Sequence, residues 1–416
     1  MSRGLKYIDL FAGAGGLSEG FKRAGFDPVA HVEMDNAACF SLKTRSAYYF
    51  LKENNKSHIY GSYLKGEINR DELYSLVPNE CLESVINLAI GKENNQAIFD
   101  TIERENDKKD IDLIVGGPPC QAYSLAGRSR NNGMKQDPRN YLFFEYIKFL
   151  ERYNPKIFVF ENVLGLKSAN DGNYFKTMLN LFAKQGYEVA DFVLHADDFG
   201  VLQKRKRVIL IGYKKELNFT LPNFEPIQSA KFSVANIFSD LPQIEANGGV
   251  DKFLNYRTDV NEYLSISKIR NEEGILTQHI SRPHTDQDKE IYRIAVDLWS
   301  EKKERLNYIN LPDRLKTHLN QTSFFDRFKV VAADLGSSQT VVAHIAKDGH
   351  YYIHPDIEQN RSISVREAAR LQSFPDDFYF EGVKESKNRT AAFKQIGNAV
   401  PPLMAQNIAA ELIKFI

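Results

Sequence analysis

The apolar run Tyr7 to Phe11 stops at Ala12-Gly13-Ala14-Gly15-Gly16 and gives way to a helical pattern over Leu17 to Ala24, closed by Gly25. A strand that ends in a glycine loop and opens a helix is the first half of a βαβ unit. Glycines there let backbone approach a ligand closely and leave helix N-terminal N–H groups facing it. The rhythm then repeats. Val29 to Glu33, Ile111 to Val115, Lys156 to Phe160 and Val208 to Ile211 read as strands, and Asn36 to Thr44 and Tyr141 to Tyr153 as helices. Apolar strands alternating with helices predict a doubly wound, mostly parallel α/β sheet covered on both faces.

A chain of 416 residues is longer than one such sheet needs. Residues 51–99 are polar and offer no strand that the sheet clearly requires, so they read as an insertion after the second strand. Residues 216–360 break the alternation. They surround a charged helical stretch, Asp286 to Arg305, that holds the single tryptophan, Trp299. Helical patterning returns at Ser364 to Leu371 and at Pro402 to Ile416. The expected layout is a catalytic and cofactor-binding domain over 1–215, a smaller domain over 216–360, and a segment over 361–416 that returns to the first.

The 54 basic and 54 acidic residues cancel, so a nucleic-acid partner would require basic residues gathered on one face. No apolar stretch approaches the ~18 residues of a membrane span, and the first residues lack a signal-peptide core. The cytoplasm is the expected compartment, with no membrane partner. The three cysteines, Cys39, Cys81 and Cys120, are too few for a disulfide framework and show no metal-ligand spacing with the nine histidines, so no metal is expected.

Glu33 ends the second strand, 20 residues after Gly13, where an acid can accept hydrogen bonds from ribose hydroxyls. A dinucleotide fingerprint would place glycine at position 18, which is Ser18. That departure favours a nucleoside ligand without a buried pyrophosphate, such as S-adenosylmethionine, over NAD. A tight turn with a solvated Glu33 fits the same residues.

Gly116-Gly117-Pro118-Pro119-Cys120-Gln121 follows the Ile111 to Val115 strand, at the carboxyl edge where open α/β sheets place their chemistry. Two prolines restrict the backbone before Cys120, whose thiolate would be a strong nucleophile. The alternative is a small buried cysteine, the reading given to Cys39, while Cys81 falls in the insertion. Phe158-Val159-Phe160-Glu161-Asn162 puts an acid at the end of an apolar strand, suited to proton transfer or to capping a helix. Gln203-Lys204-Arg205-Lys206-Arg207 sets four cations before the Val208 strand, with Arg205 and Arg207 on one side and Lys204 and Lys206 on the other.

Together these residues resemble the DNA (cytosine-5) methyltransferase family of prokaryotic and phage restriction-modification systems. The match runs through Asp9 to Gly16, Gly116 to Gln121, Glu161 to Val163, Gln203 to Arg207, Arg370-Leu371-Gln372-Ser373-Phe374-Pro375 and Gln395 to Pro402, in the family's order along nearly the whole chain. The resemblance implies a Rossmann-like S-adenosylmethionine-dependent catalytic domain, with 216–360 as the target-recognition domain and the final helix packed beside the glycine loop. It implies that Phe11, Gly13, Gly15, Leu17, Glu33, Met34, Pro118, Asn398 and Val400 bind S-adenosylmethionine. The family also places a cofactor-contacting acid after its third strand, and Asp100 stands as the candidate for it. Cys120, Glu161, Arg207 and Arg205 are the implied catalytic set.

Ser124, Arg128, Ser129, Arg130, Gln203 and Lys204 are the implied contacts to double-stranded DNA. A cognate restriction endonuclease would act on the same site without a stable complex. The same chemistry on tRNA and a catalytically silent DNA-binding homologue are the other readings. The long 216–360 stretch favours DNA over the first, and intact Cys120, Glu161 and Arg207 argue against the second.

Overall fold

The computed structural model describes residues 4–106, 110–119, 141–217, 220–227, 231–270, 274–318, 324–385 and 388–415. Seven strands form one sheet: β1 (Leu5–Leu10), β2 (Phe26–Glu33), β3 (Val85–Asn87), β4 (Leu113–Gly116), β5 (Ile157–Asn162), β6 (Tyr187–His195) and β7 (Lys206–Lys214). Their spatial order is β3-β2-β1-β4-β5-β7-β6. β1 to β5 pair parallel, while β7 runs antiparallel to both β5 and β6. The strand order reverses between β1 and β4, which opens a crevice at their carboxyl ends.

Alternation along β1 divides the core. Ile8 and Leu10 face helices α4 (Asn95–Glu105), α5 (Leu142–Tyr153) and α6 (Asn173–Lys184), through Ile98, Phe149 and Phe182. Tyr7 faces α1 (Gly16–Arg23) and the last long helix, α10 (Pro402–Leu412), through Phe21, Met404 and Ile408. A Cβ on Gly20 would stand 2.4 Å from Ala405 Cβ and 2.6 Å from Pro402 O, so glycine there lets α1 and α10 touch. The two ends of the chain therefore meet beside the glycine loop.

Two strands escape the sequence pattern. The 51–99 stretch was expected to hold no strand of the sheet, yet it supplies β3, three residues long, which pairs with the end of β2. The rest of that stretch is helical. α2 (Asn36–Glu53) runs well past Thr44, and α3 (Ser57–Lys65) and two short helices follow. Tyr48, Tyr60 and Tyr63 pack with Tyr379, and Tyr60 Oη donates to Asp377 O at 2.7 Å, which anchors this stretch to the C-terminal segment. β6 was also not expected. It is the other sheet edge, and its carboxylates Glu188 and Asp191 mask the strand pattern.

The 216–360 stretch holds little regular structure among its described residues apart from α7 (Asp286–Lys302), whose start is a reciprocal Thr285–Asp288 capping box. Its apolar residues Phe232, Ile237, Leu264, Ile280, Val341 and Ile345 share one core with α8 (Val365–Leu371) and α9 (Arg389–Asn398). α7 has a smaller core of its own with Leu306, Tyr308, Phe328 and Ile353.

Candidate active site

β1 delivers the chain into a loop with three left-handed residues, Phe11 (φ 57°), Gly13 (φ 55°) and Gly15 (φ 80°). Such angles favour glycine. A Cβ on Gly13 would meet no atom of the described residues within 4 Å, so those residues leave this face of the loop open. Glu33, at the end of β2, closes one side. Its Oε2 accepts from Gly13 N at 2.8 Å, and its Oε1 accepts from Met34 N and Asp35 N at 2.8 Å. Met34 is 67% exposed, and Asn398 is exposed at the end of α9. Val400 O would lie 2.2 Å from a Cβ on Gly16, so the C-terminal segment and the loop are in close contact. Leu17 is instead buried in the core beneath, and Phe11 is half-buried against the opposite face.

Asp100 does not join this group. It lies on the exposed face of α4, where it accepts from Gln96 at 2.8 Å. The residue that ends the third strand is Asn87, whose Nδ2 donates to Glu33 O and Met34 O at 3.2 Å. The sequence pattern did not reveal Asn87 because β3 is only three residues long. Ser18 has an interior role. Its hydroxyl lies 2.5 Å from Tyr7 Oη and 2.7 Å from His31 Nε2, in a buried chain behind the loop. Burial lowers the His31 pKa to about 4. Asp9, in register beside His31, is held well above the usual carboxylate range, first by burial and then by the charge of Glu33. A cavity of about 360 Å³ between α1 and α2 reaches Ser18 and His31 but touches none of Glu161, Arg205 and Arg207.

β4 and β5 bring the second group together. A Cβ on Gly116 would lie 1.9 Å from Leu10 O, and one on Gly117 would lie 1.8 Å from Glu161 O. Both positions demand glycine because the chain threads between the ends of β1 and β5. Asn162 Nδ2 donates to Pro118 O at 3.1 Å and fixes the buried Pro118. Pro119 is the last described residue of this segment. Cys120, Ser124, Arg128, Ser129 and Arg130 lie outside the described residues.

Glu161 Oε1 lies 2.5 Å from Arg207 Nε, across the β5–β7 ladder, with both side chains mostly shielded. The N–H is not aligned for a hydrogen bond, so the contact is electrostatic. Arg205 turns inward and donates to Val341 O at 2.7 Å and Gly397 O at 3.2 Å. It ties the basic segment to its neighbours rather than facing the opening. Gln203, expected at DNA, is fully buried. Its amide donates to Leu371 O and Gln372 Oε1 and accepts from Val341 N. A polar residue in a basic run looks like surface in the sequence, and only its partners more than a hundred residues away reveal the burial.

Lys204 and Lys206 are exposed. With Arg207, His195 and Thr340 they line a cavity of about 570 Å³ beside Val163 and Leu164. Thr340 was not singled out from the sequence. Its Oγ1 donates to Lys204 O, which sets residues 338–341 alongside the basic run.

The family model for C-5 cytosine-specific DNA methylases matches residues 5–71 and 83–414. Type II methyltransferase M.Bpa9945I of Bacillus paralicheniformis is 42% identical over 97% of each chain. Type II methyltransferase M.DdeI of Desulfomicrobium norvegicum is 31% identical over 98% of this chain and 88% of its own. Among solved structures, a prophage-encoded E. coli protein described as a DNA modification methyltransferase superposes with a TM-score of 0.64 at 23% identity, over 99% of both chains. The Dnmt2 methyltransferase of S. pombe gives 0.51 at 14% over the same coverage.

Proposed function

The chain belongs to the C-5 cytosine-specific DNA methylase family, and we propose that it methylates C5 of a cytosine rotated out of a specific duplex sequence, within a restriction-modification system. The observation that carries the mechanism is the contact of Glu161 with Arg207 at the edge of the Gly-Gly-Pro-Pro turn. N3 and O2 are neighbours on one edge of cytosine. A carboxyl group and a guanidinium held side by side match that edge.

The cofactor site is the crevice between the glycine loop, Glu33 and Val400. The open face at Gly13 gives room, and Glu33 offers a carboxylate to ribose hydroxyls. S-adenosylmethionine bound there supplies an electrophilic methyl group. The protein must make C5 able to accept it. Cys120 follows the Pro118-Pro119 turn, and its thiolate adds to C6, forming a carbon–sulfur bond. Glu161 shares a proton with N3, and Arg207 hydrogen-bonds O2, so the ring electrons move to C5 as an enamine. Once C5 carries the methyl group, its proton leaves to a base and the thiolate is expelled from C6, which restores the ring.

A stacked base cannot reach these groups, so the cytosine must leave the helix. The cavity lined by Arg207, Lys204 and Lys206 leaves space next to Arg207 and offers charge to the phosphates. No helix among the described residues is long and apolar enough to cross a membrane. A cognate endonuclease would meet this protein only through their shared DNA site.

The test is methyl transfer from labelled S-adenosylmethionine to mixed-sequence duplex DNA and, separately, to total tRNA. Label recovered as 5-methylcytosine in DNA is the expected result, and label on tRNA alone would overturn the substrate. Cys120→Ala should abolish transfer while S-adenosylmethionine binding survives. Glu161→Gln and Arg207→Ala should each lower the single-turnover rate by roughly 10²-fold or more. Near-normal turnover by a folded Cys120→Ala protein would remove the covalent step.

A further inference from the structure

The 216–360 stretch carries many cations, and the structure sorts them. Asp240 neutralises Arg270 at 2.9 Å, Asp334 neutralises Lys303 at 2.8 Å, and Asp313 neutralises Lys316 at 3.0 Å. Glu290 holds Arg314, and Arg327 and Lys329 reach Asp348 and Asp326 at 3.3 Å.

Arg282 differs. It is 8% exposed, and among the described residues no carboxylate pairs with it. Its Nη2 donates to Ile345 O at 2.5 Å, its guanidinium lies 4.8 Å from the Phe393 ring centre, and its buried Nε has no hydrogen-bond partner among the described residues. Arg389, the first residue of α9, donates through Nη1 to Ser281 O at 2.8 Å, so both guanidiniums are held at the same short segment. Arg389 likewise has no ion pair among the described residues. Its charge adds to burial in pushing the Arg282 pKa down to about 10.

α9 has ten residues, no acidic residue in its first turn and no side-chain cap, so its first N–H groups add partial positive charge at the same place. Asp348 acts on Arg282 only from beyond ion-pair distance, so among the described residues the two guanidiniums have no carboxylate paired with them, and their planar forks suit phosphate oxygens. The other end of α9 fixes where that anion comes from. Gly397 O accepts from Arg205 in the basic segment. From Arg389 to Gly397 the helix covers ~12 Å, or three to four nucleotide steps at the axial rise of one DNA strand.

We propose that Arg282, Arg389 and the N-terminus of α9 form a phosphate site that holds a backbone phosphodiester of the DNA, ~12 Å along α9 from Gly397, where Arg205 anchors the basic segment. This rests on the reading of duplex DNA as substrate. The site positions the duplex and reads no base.

The test uses the full chain with Arg389→Gln, a half-exposed position, and Arg389→Lys as the charge-conserving control. Duplex binding is titrated at several salt concentrations, on a methylated-target sequence and on a scrambled one. The expected result for Arg389→Gln is a plot of log affinity against log salt that is shallower by about 1, with affinity lower by roughly tenfold on both duplexes. Arg389→Lys should restore most of it. An unchanged slope and affinity would overturn the site, and a loss confined to the target sequence would make Arg389 a base reader instead.

Inorganic phosphate serves as the second probe, followed by the shift in thermal midpoint. Phosphate stabilisation that Arg389→Gln removes, with DNA binding unaffected or absent in the parent protein, would overturn the DNA backbone as the source and leave a free-phosphate site. A parent protein that neither binds nor methylates DNA would overturn the substrate reading itself.

Discussion

Gly117 makes the closest backbone approach in the site, with its missing Cβ aimed 1.8 Å from Glu161 O. No rotamer relieves a clash between a Cβ and a carbonyl oxygen, so a side chain there must separate β4 from the end of β5. That end carries Glu161, whose carboxyl contacts Arg207 and is the proposed proton-sharing group. Gly117→Ala should fold, because the rest of the sheet is untouched, but lower the single-turnover rate by about 10²-fold, the usual cost of moving a catalytic group by ~1 Å. Equal rates for both proteins, with matching circular dichroism, would show that the turn does not position Glu161. At this scale much was legible. Glu33 and the Glu161–Arg207 pair stand where strand ends placed them. Gln203 and Asp100 were misread because residue spacing along the chain says nothing about which way a side chain turns once helices and long-range partners are in place.

Among the elements, α8 is held by charge buried with its partners. Arg370 donates through Nε and Nη2 to Asp376 at 2.9 and 2.6 Å, and through Nη1 to Asp240 at 2.5 Å and Ile237 O at 2.8 Å. All three ionic side chains are fully buried. Arg370 thus joins the C-terminal segment to the start of the 216–360 stretch, across a core that both build. Arg370→Ala would leave Asp240 with Arg270 alone and Asp376 with only the more distant Arg366 at 3.9 Å, a cost of up to about 3–5 kcal/mol. Urea unfolding should show a matching fall in stability, and a loss below ~1 kcal/mol would mean that water reaches the gap. The sequence motif Arg370 to Pro375 marked this place without revealing its purpose. The arginine and Asp376 are close in sequence, but Asp240 is not. Strong helices and apolar strands were legible because periodicity is local. β3 and β6 were not, since one has three residues and the other alternates charge along an exposed edge.

Over the whole molecule, the closure of chain ends and the shared cores leave histidines in places that disfavour their charged form. Burial lowers His31, His279 and His284 to about 4, and lowers His350 and His354 as well. The unfolded chain binds protons at these groups near pH 6.5, and the folded one does not. Their contribution is therefore complete above pH ~6.5 and is lost as pH falls toward 4. Two buried acids act in the opposite sense. Asp9 and Glu381 have raised pKa values, so the folded state keeps protons that the unfolded state has released above pH ~4, and their effect favours lower pH. Five histidines against two carboxyl groups leave the histidines dominant between pH 6.5 and 5, at on the order of 1.4 kcal/mol per pH unit for each net proton. Urea midpoints should fall from pH 7.5 to pH 5.5, before Glu19, held at about 2 by Arg45 and Arg23 against its burial, begins to titrate. A midpoint that holds steady would mean that the histidines take up protons in the folded state, against the burial of His31 and His279.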